Sequence, residues 1–258
     1  MRKLVNRWLR GKDREAVAPR VPDGQRVYCI GDIHGRLDLL DELLRKVDED
    51  ACEFEGARIL VYLGDYIDRG PQSREVIDRL LEEPLAGFEV IHLLGNHEQT
   101  LLDFLAHPHS VGSWLAYGGI ATLASYGVHA GPGESRSELG GLRDSLEQRL
   151  PDAHRRFLEE LKLLHVCGSY CFVHAGIRPG VPLQEQRNDD LLWIRDEFTR
   201  SSAVHPHVIV HGHTITPSVE FLPNRIGIDT GAFHTGILTC LVLEADTQRL
   251  LQTGIAAV

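Results

Sequence analysis

Three times between residues 26 and 105 the chain runs through one pattern: a short apolar run, a polar turn containing glycine, then a stretch with helical spacing. The first unit joins residues 26–30 to a turn at 31–35, followed by Leu37, Leu39, Leu40, Leu43, Leu44 and Val47 at helical intervals. The second joins 58–63 to a turn at 64–70 and a helical segment at 73–82, and the third joins 88–94 to 95–98 and 99–105. Strands alternating with helices at intervals of about 30 residues predict βαβ units and a parallel sheet. In such sheets ligands gather at the carboxyl ends of the strands, which is where these turns fall.

Residues 111–163 read as mainly helical, broken by Gly118, Gly119, Gly127 and a loop at 131–137, and they contribute no metal-type motif. They are expected to form a helical cap inserted into one domain covering residues 25–258, behind a basic arm at 1–24. Strand-like runs resume at 170–173, 208–210, 225–228 and 236–243, which predicts a second sheet packed on the first. The arm carries Arg2, Lys3, Arg7, Arg10, Lys12 and Arg14, but Leu4, Val5, Trp8 and Leu9 are too few for a secretory core. No apolar run approaches the roughly 20 residues that span a bilayer, so no stable membrane insertion is expected.

The formal charge of −10 argues against a nucleic-acid partner, whose phosphates are bound by clustered Lys and Arg. An anionic substrate must then be held locally, by metals or by a few arginines. Five cysteines are an odd number, and Cys29 and Cys240 fall inside strand-like runs, which predicts buried free thiols in a reducing cytoplasm. Cys167 and Cys171 are spaced C-x3-C and complete no zinc site. The sequence carries no signature of oligomeric state.

Each N-terminal turn delivers hard metal-ligand types: Asp32 and His34, Asp65 and Asp68, Asn96 and His97. Two later strands end in His174 and His213. A single Asp or His after a strand is more often a turn former or a cap; five successive strand ends of this kind beside glycine point to a metal site. Carboxylate, amide and imidazole ligands without thiolate suit borderline to hard divalent cations, and these candidates are more than one tetrahedral site uses. Two cations sharing one carboxylate fit the count, and such a pair activates water and clamps phosphoryl oxygens for direct hydrolysis.

Gly31-Asp32-Ile33-His34-Gly35, Gly64-Asp65-Tyr66-Ile67-Asp68-Arg69-Gly70 and Gly95-Asn96-His97-Glu98 resemble the three signature blocks of the phosphoprotein phosphatase (PPP) family, in its order and near its spacing. His174-Ala175-Gly176 and Gly212-His213-Thr214 are similar to its two distal histidine blocks. The resemblance is to the bacterial and phage branch of these serine/threonine phosphatases. It implies an α/β fold, the two-sheet αββα sandwich of calcineurin-like metallophosphoesterases with a helical cap insertion.

By that resemblance Asp32, His34 and Asp65 hold one metal, and Asp65 bridges to a second held by Asn96, His174 and His213. The metals implied are two divalent cations, manganese first, with iron or zinc as alternatives. His97 protonates the leaving oxygen of a phosphoprotein or phosphopeptide substrate, and Asp68 orients its imidazole, a pairing that suits a general acid. Arg69 binds phosphoryl oxygens through its planar fork. Leu192-Trp193-Ile194-Arg195 resembles the segment that supplies a second phosphate-binding arginine, so Arg195 joins the site; its other reading is an ion pair with Asp189 or Asp190.

His92 is expected to pack in the core, His211 to take a core or surface role with support of the neighbouring His213 as its other reading, and Asp229-Thr230-Gly231 to form a turn. Ile215 stands where many broader metallophosphoesterases carry a second histidine after the Gly-His. The competing readings are a dinucleoside polyphosphate hydrolase, whose second block usually lacks the Asp68-Arg69 pair, and a noncatalytic phosphate-binding module.

Overall fold

The computed structural model describes residues 18–82, 85–130 and 138–254. The basic stretch 2–14 and the expected loop at 131–137 lie outside these residues. Of the expected arm, Val21 is fully buried and its N–H donates to Ala245 O at 3.0 Å.

The strands are β1 (Gln25–Ile30), β2 (Ala57–Tyr62), β3 (Phe88–His92), β4 (Leu164–Cys167), β5 (Tyr170–Val173), β6 (Val208–His211), β7 (Glu220–Phe221), β8 (Arg225–Gly227), β9 (Thr239–Glu244) and β10 (Thr247–Gln252). The helices are α1 (Leu37–Ala51), α2 (Ser73–Leu81), α3 (Asn96–Ala106), α4 (Gly119–Ser125), α5 (Leu139–Glu147), α6 (Asp152–Glu159), α7 (Asn188–Trp193), α8 (Asp196–Thr199) and α9 (Ala232–Thr235).

One sheet has the order β10-β9-β1-β2-β3, with β1, β2 and β3 parallel and β9 antiparallel to β1. The other has the order β4-β5-β6-β8-β7, with β5, β6 and β8 parallel and an antiparallel strand at each edge. Side chains alternate across a strand. Val27 and Cys29 of β1 therefore meet Val61, Phe172, Val210, Ile226 and Leu241 between the two sheets. Tyr28 and Ile30 turn the other way, into a core with Leu40, Leu43, Ile77 and Phe104 of α1, α2 and α3. Burial on both faces explains why β1 and β2 end in apolar runs at 27–30 and 59–62 without polar alternation, whereas β3, at the sheet edge, keeps Glu89 exposed. A third cluster, with Cys171, Val173, Ile209 and Phe198, covers the outer face of the second sheet and completes the αββα layering.

Within 111–163 the described residues form a 3₁₀ turn at Gly112–Tyr117 followed by α4, α5 and α6. Trp114, Leu123, Tyr126, Leu146 and Phe157 pack into the same core as α1 to α3. This segment therefore extends the helical layer on the first sheet and shares its core. β4, β7 and β10 fall outside the expected strands: β7 has two residues, and β10 begins with the exposed polar residues Thr247, Gln248 and Arg249.

Candidate metal centre and active site

The ends of β1, β2, β3, β5 and β6 converge on one edge of the sandwich and bring Asp32, His34, Asp65, Asp68, Asn96, His97, His174 and His213 together, all of them buried. The turns are strained in a common way. His34, Asp65, Asp68, Arg69 and His213 have φ of 49°, 52°, 72°, 67° and 61°, and Ala245 is the one other non-glycine residue in this region among those described. Each such residue costs on the order of 1 kcal/mol, which the surrounding packing must offset. The glycines let the turns nest: a Cβ at Gly95 would collide with the Asp65 amide and carboxylate, and one at Gly212 with Asp32 Oδ1.

Asp65 is the hub. Its Oδ2 lies 3.4 Å from His34 Nε2 and 3.8 Å from His97 Nε2, and its Oδ1 lies 3.4 Å from His174 Nε2. Two sets of ligand atoms share it, each within 4.8 Å: His34, Asp65 and His97 on one side, and Asp65, His174 and His213 on the other. Asp32 stands outside these sets; its carboxylate accepts the His213 N–H at 3.0 Å.

The ring tautomers follow from the neighbours. His34 Nδ1 lies 2.8 Å from Ile67 O, and His174 Nδ1 lies 2.9 Å from Leu63 O, so each Nδ1–H donates to a carbonyl and leaves Nε2 as a lone pair facing Asp65. His34 Nε2 and His213 Nε2 are buried with no hydrogen-bond partner. His174 Nε2 faces Asn96 Oδ1 at 2.9 Å, two acceptors with no proton to share. Burial pushes His34 down to about 3 and His213 to about 2, so both stay neutral. Asp32 is pushed well up by burial and by the Asp229 and Asp65 charges, and burial raises Asp229 to about 6. Crowded carboxylates and orphaned imidazole lone pairs around one shared aspartate fit a pair of divalent cations.

Beside this centre lies a second polar cluster. His97 Nδ1 donates to Asp68 Oδ2 at 2.6 Å, and Trp114 Nε1 donates to the same oxygen at 2.7 Å. Thr122 Oγ1 donates to Asp68 Oδ1 at 2.5 Å. Burial pushes His97 down, but the Asp65 charge and the Asp68 hydrogen bond outweigh it and raise the ring to about 9. Arg69 Nη2 reaches His97 Nε2 at 3.2 Å.

A pocket of 290 Å³ opens at this point, lined by Arg69, Asn96, His97, Tyr117, Trp193 and Arg195 among others. Arg195 Nη1 donates to His213 O at 3.1 Å. The acidic partners of its alternative reading pair elsewhere: Asp190 binds Arg178 and Asp189 binds Arg187. His211 is buried with its ring edge-on to Phe198, and His92 stacks on Tyr62. Asp229 does shape its turn, accepting the Gly231 N–H at 2.9 Å.

Three further residues support this region, and only Glu98 lies within a sequence motif, the third glycine-bearing block. Trp114 and Thr122 come from the helical segment and hold Asp68. Glu98, fully buried, takes the Asp65 and Gly95 N–H groups on Oε2 and the Tyr66 N–H on Oε1, and so pins the second turn to the third. Its signal in the sequence is its place three residues after the glycine that opens α3, where a Glu reaches back to free N–H groups.

Residues 25–234 match the calcineurin-like phosphoesterase family, and the chain belongs to it. It is therefore a phosphoester hydrolase, of a family that works through a dinuclear metal centre. It is similar to serine/threonine-protein phosphatase 1 of Salmonella typhimurium, at 32% identity over 83% of this chain and 90% of the relative. It is also similar to the asymmetrical bis(5'-nucleosyl)-tetraphosphatase PrpE of Oceanobacillus iheyensis, at 26% identity over 83% and 87%. A crystal structure of a candidate diadenosine tetraphosphatase has the same fold, with a TM-score of 0.60 at 24% identity over 91% of this chain and 98% of the other.

Proposed function

We propose that the protein is a serine/threonine phosphoprotein phosphatase. The observation that carries this reading is the Asp68–His97 pair beside Arg69, at the mouth of a pocket that Arg195 also lines. Asp32, His34 and Asp65 would hold one cation, and Asp65, Asn96, His174 and His213 the other. The pair, read as manganese because imidazole and amide ligands suit ions softer than magnesium, supplies charge stabilisation and an activated water. Arg69 and Arg195 hold the phosphoryl oxygens through charge-assisted hydrogen bonds. His97 gives its Nε2 proton to the leaving serine or threonine oxygen, and Asp68 fixes the ring with its Nδ1 proton pointing away from that oxygen. Trp114 and Thr122 hold Asp68 in turn.

The pocket lining brings two guanidiniums to the anion, a supply matched to one phosphoryl group. The more highly charged chain of a dinucleoside polyphosphate would call for more. Four buried free cysteines among the described residues support a reducing, cytoplasmic setting, and no described helix is long and apolar enough to cross a membrane.

The test is a side-by-side measurement of kcat/KM for a phosphoserine peptide and diadenosine tetraphosphate with the manganese-loaded enzyme. The phosphopeptide is expected to be the better substrate. A higher kcat/KM for the dinucleotide would transfer the assignment to the tetraphosphatase reading, which the similarity to the Oceanobacillus relative also supports.

A further inference from the structure

The guanidinium carbon of Arg69 lies over the ring of Phe233, 4.7 Å from its centroid. We propose that Phe233 is a positioning residue of the phosphate site, its aromatic face holding the Arg69 guanidinium where the arginine meets the phosphoryl oxygens. The inference rests on the reading of Arg69 as a phosphate ligand.

An arginine that must bind an anion has to be held without being neutralised. A carboxylate partner would restrain the side chain but would also occupy its N–H donors and offset its charge. Among the described residues Arg69 has no such partner: its side chain meets His97 and Phe233. A cation–π contact uses the face of the guanidinium, whereas its five N–H donors lie in the plane, so an aromatic ring restrains the cation and leaves the donors free. The other end of the side chain is closed in as well. A Cβ at Gly118 would stand 2.7 Å from Arg69 N and 2.9 Å from its Cγ, so the glycine lets Arg69 lie against that backbone.

Phe233 has a fixed base from which to act. It belongs to α9, a four-residue helix entered through left-handed Gly231 and left through left-handed Gly236. Thr235 Oγ1 donates to Thr230 O at 2.9 Å, and Arg36 Nη1 donates to Ala232 O at 3.1 Å, which ties α9 to the start of α1. The Phe233 ring also meets the His34 ring edge-on at 5.6 Å. One side chain thus touches both the phosphate arginine and a residue of the metal turn, and a test must separate the two contacts.

The probe is inorganic phosphate as a competitive inhibitor of the manganese-loaded enzyme, measured with metal content for wild type, Phe233→Leu, Phe233→Tyr, Arg69→Ala and the double variant Phe233→Leu/Arg69→Ala. Losing the contact should raise the phosphate Ki by roughly 3- to 10-fold in Phe233→Leu, with metal content at wild type, while Phe233→Tyr stays within about twofold. In the Arg69→Ala background Phe233→Leu should add nothing, because the two residues act as one unit. The proposal is overturned if Arg69→Ala weakens phosphate binding and Phe233→Leu does not, if Phe233→Leu has its full effect without Arg69, or if its effect comes with loss of metal. An unchanged Ki in Arg69→Ala would instead remove Arg69 from the phosphate site, a failure of the underlying reading that is seen separately.

Discussion

Asp68 and Asp32 occupy neighbouring turns and are equally withdrawn from water, at 0% and 2% exposure, yet their surroundings differ in kind. Asp68 has a donor for each oxygen: His97 and Trp114 on Oδ2 and Thr122 on Oδ1. Asp32 has the His213 amide and then two like charges, Asp229 and Asp65, and the imidazoles nearby include two with orphaned Nε2 atoms. A buried carboxylate with full hydrogen bonding is a finished structural element. A buried carboxylate crowded by others is costly unless its charge is paired, and it suits a bound cation. The first cluster has its hydrogen bonds supplied within the protein; the second has the crowded charges and free imidazole nitrogens that a pair of cations would fit.

Asp65→Asn should expose this difference most strongly, because it removes the charge that both ligand sets share. Bound metal should be lost and kcat should fall on the order of 10³-fold, several kcal/mol of transition-state stabilisation. Elemental analysis and turnover check it. The wild type in excess chelator should lose activity likewise and recover it with manganese more than with magnesium. A variant with full metal content and near-normal turnover would erase the distinction between the clusters.

His97→Asn acts on the finished cluster and should leave the metal in place. Turnover on a phosphoserine peptide should fall by roughly 10²-fold, with a smaller loss on an aryl phosphate, whose leaving group needs less protonation. Equal losses on the two substrates would contradict the proton role. Trp114→Phe should be milder still. Removing one donor from a charged acceptor costs about 1.5–3 kcal/mol of stability in denaturant melts, with metal content unchanged.

What the sequence made legible follows from the same contrast. Asp32, His34, Asp65, Asn96, His174 and His213 lie within short glycine-bearing turns at strand ends, and the parallel topology gathers those ends at one edge whatever the rest of the chain does. Trp114 and Thr122 reach Asp68 from 46 and 54 residues away, along a helical segment whose apolar spacing says only that it packs. Phe233 reads as an ordinary aromatic until the chain is folded. Asp229 was legible as a turn, and it is one, but its closeness to Asp32 is a product of tertiary packing. β7 and β10 were missed because edge strands need not be apolar on both faces, so their sequences lack the signal that marked the central strands.

A third carboxylate calibrates the comparison away from the site. Asp50, near the end of α1, accepts from Arg249 Nη1 at 2.5 Å and Nη2 at 2.7 Å, and from Tyr28 Oη at 2.7 Å. Burial pushes its carboxyl up, but Arg249, Tyr28 and Arg26 outweigh that and hold it below the usual carboxylate range. With the folded value depressed, the contribution to stability is complete above the unfolded value of about 3.9 and is lost as pH falls through the folded value. Asp50→Asn should therefore lower the Tm at pH 7 and lose that deficit progressively below about pH 4, where the wild-type carboxylate is itself protonated. Arg249 is partly exposed and solvent screens the pair, so the loss at pH 7 should be at most about 1 kcal/mol, or roughly 2–4 °C. Metal content and kcat should not move. A Tm difference that stayed constant down to pH 3 would mean that the loss comes from packing, and that full hydrogen bonding of a carboxylate does not by itself mark a charged, finished cluster in this protein.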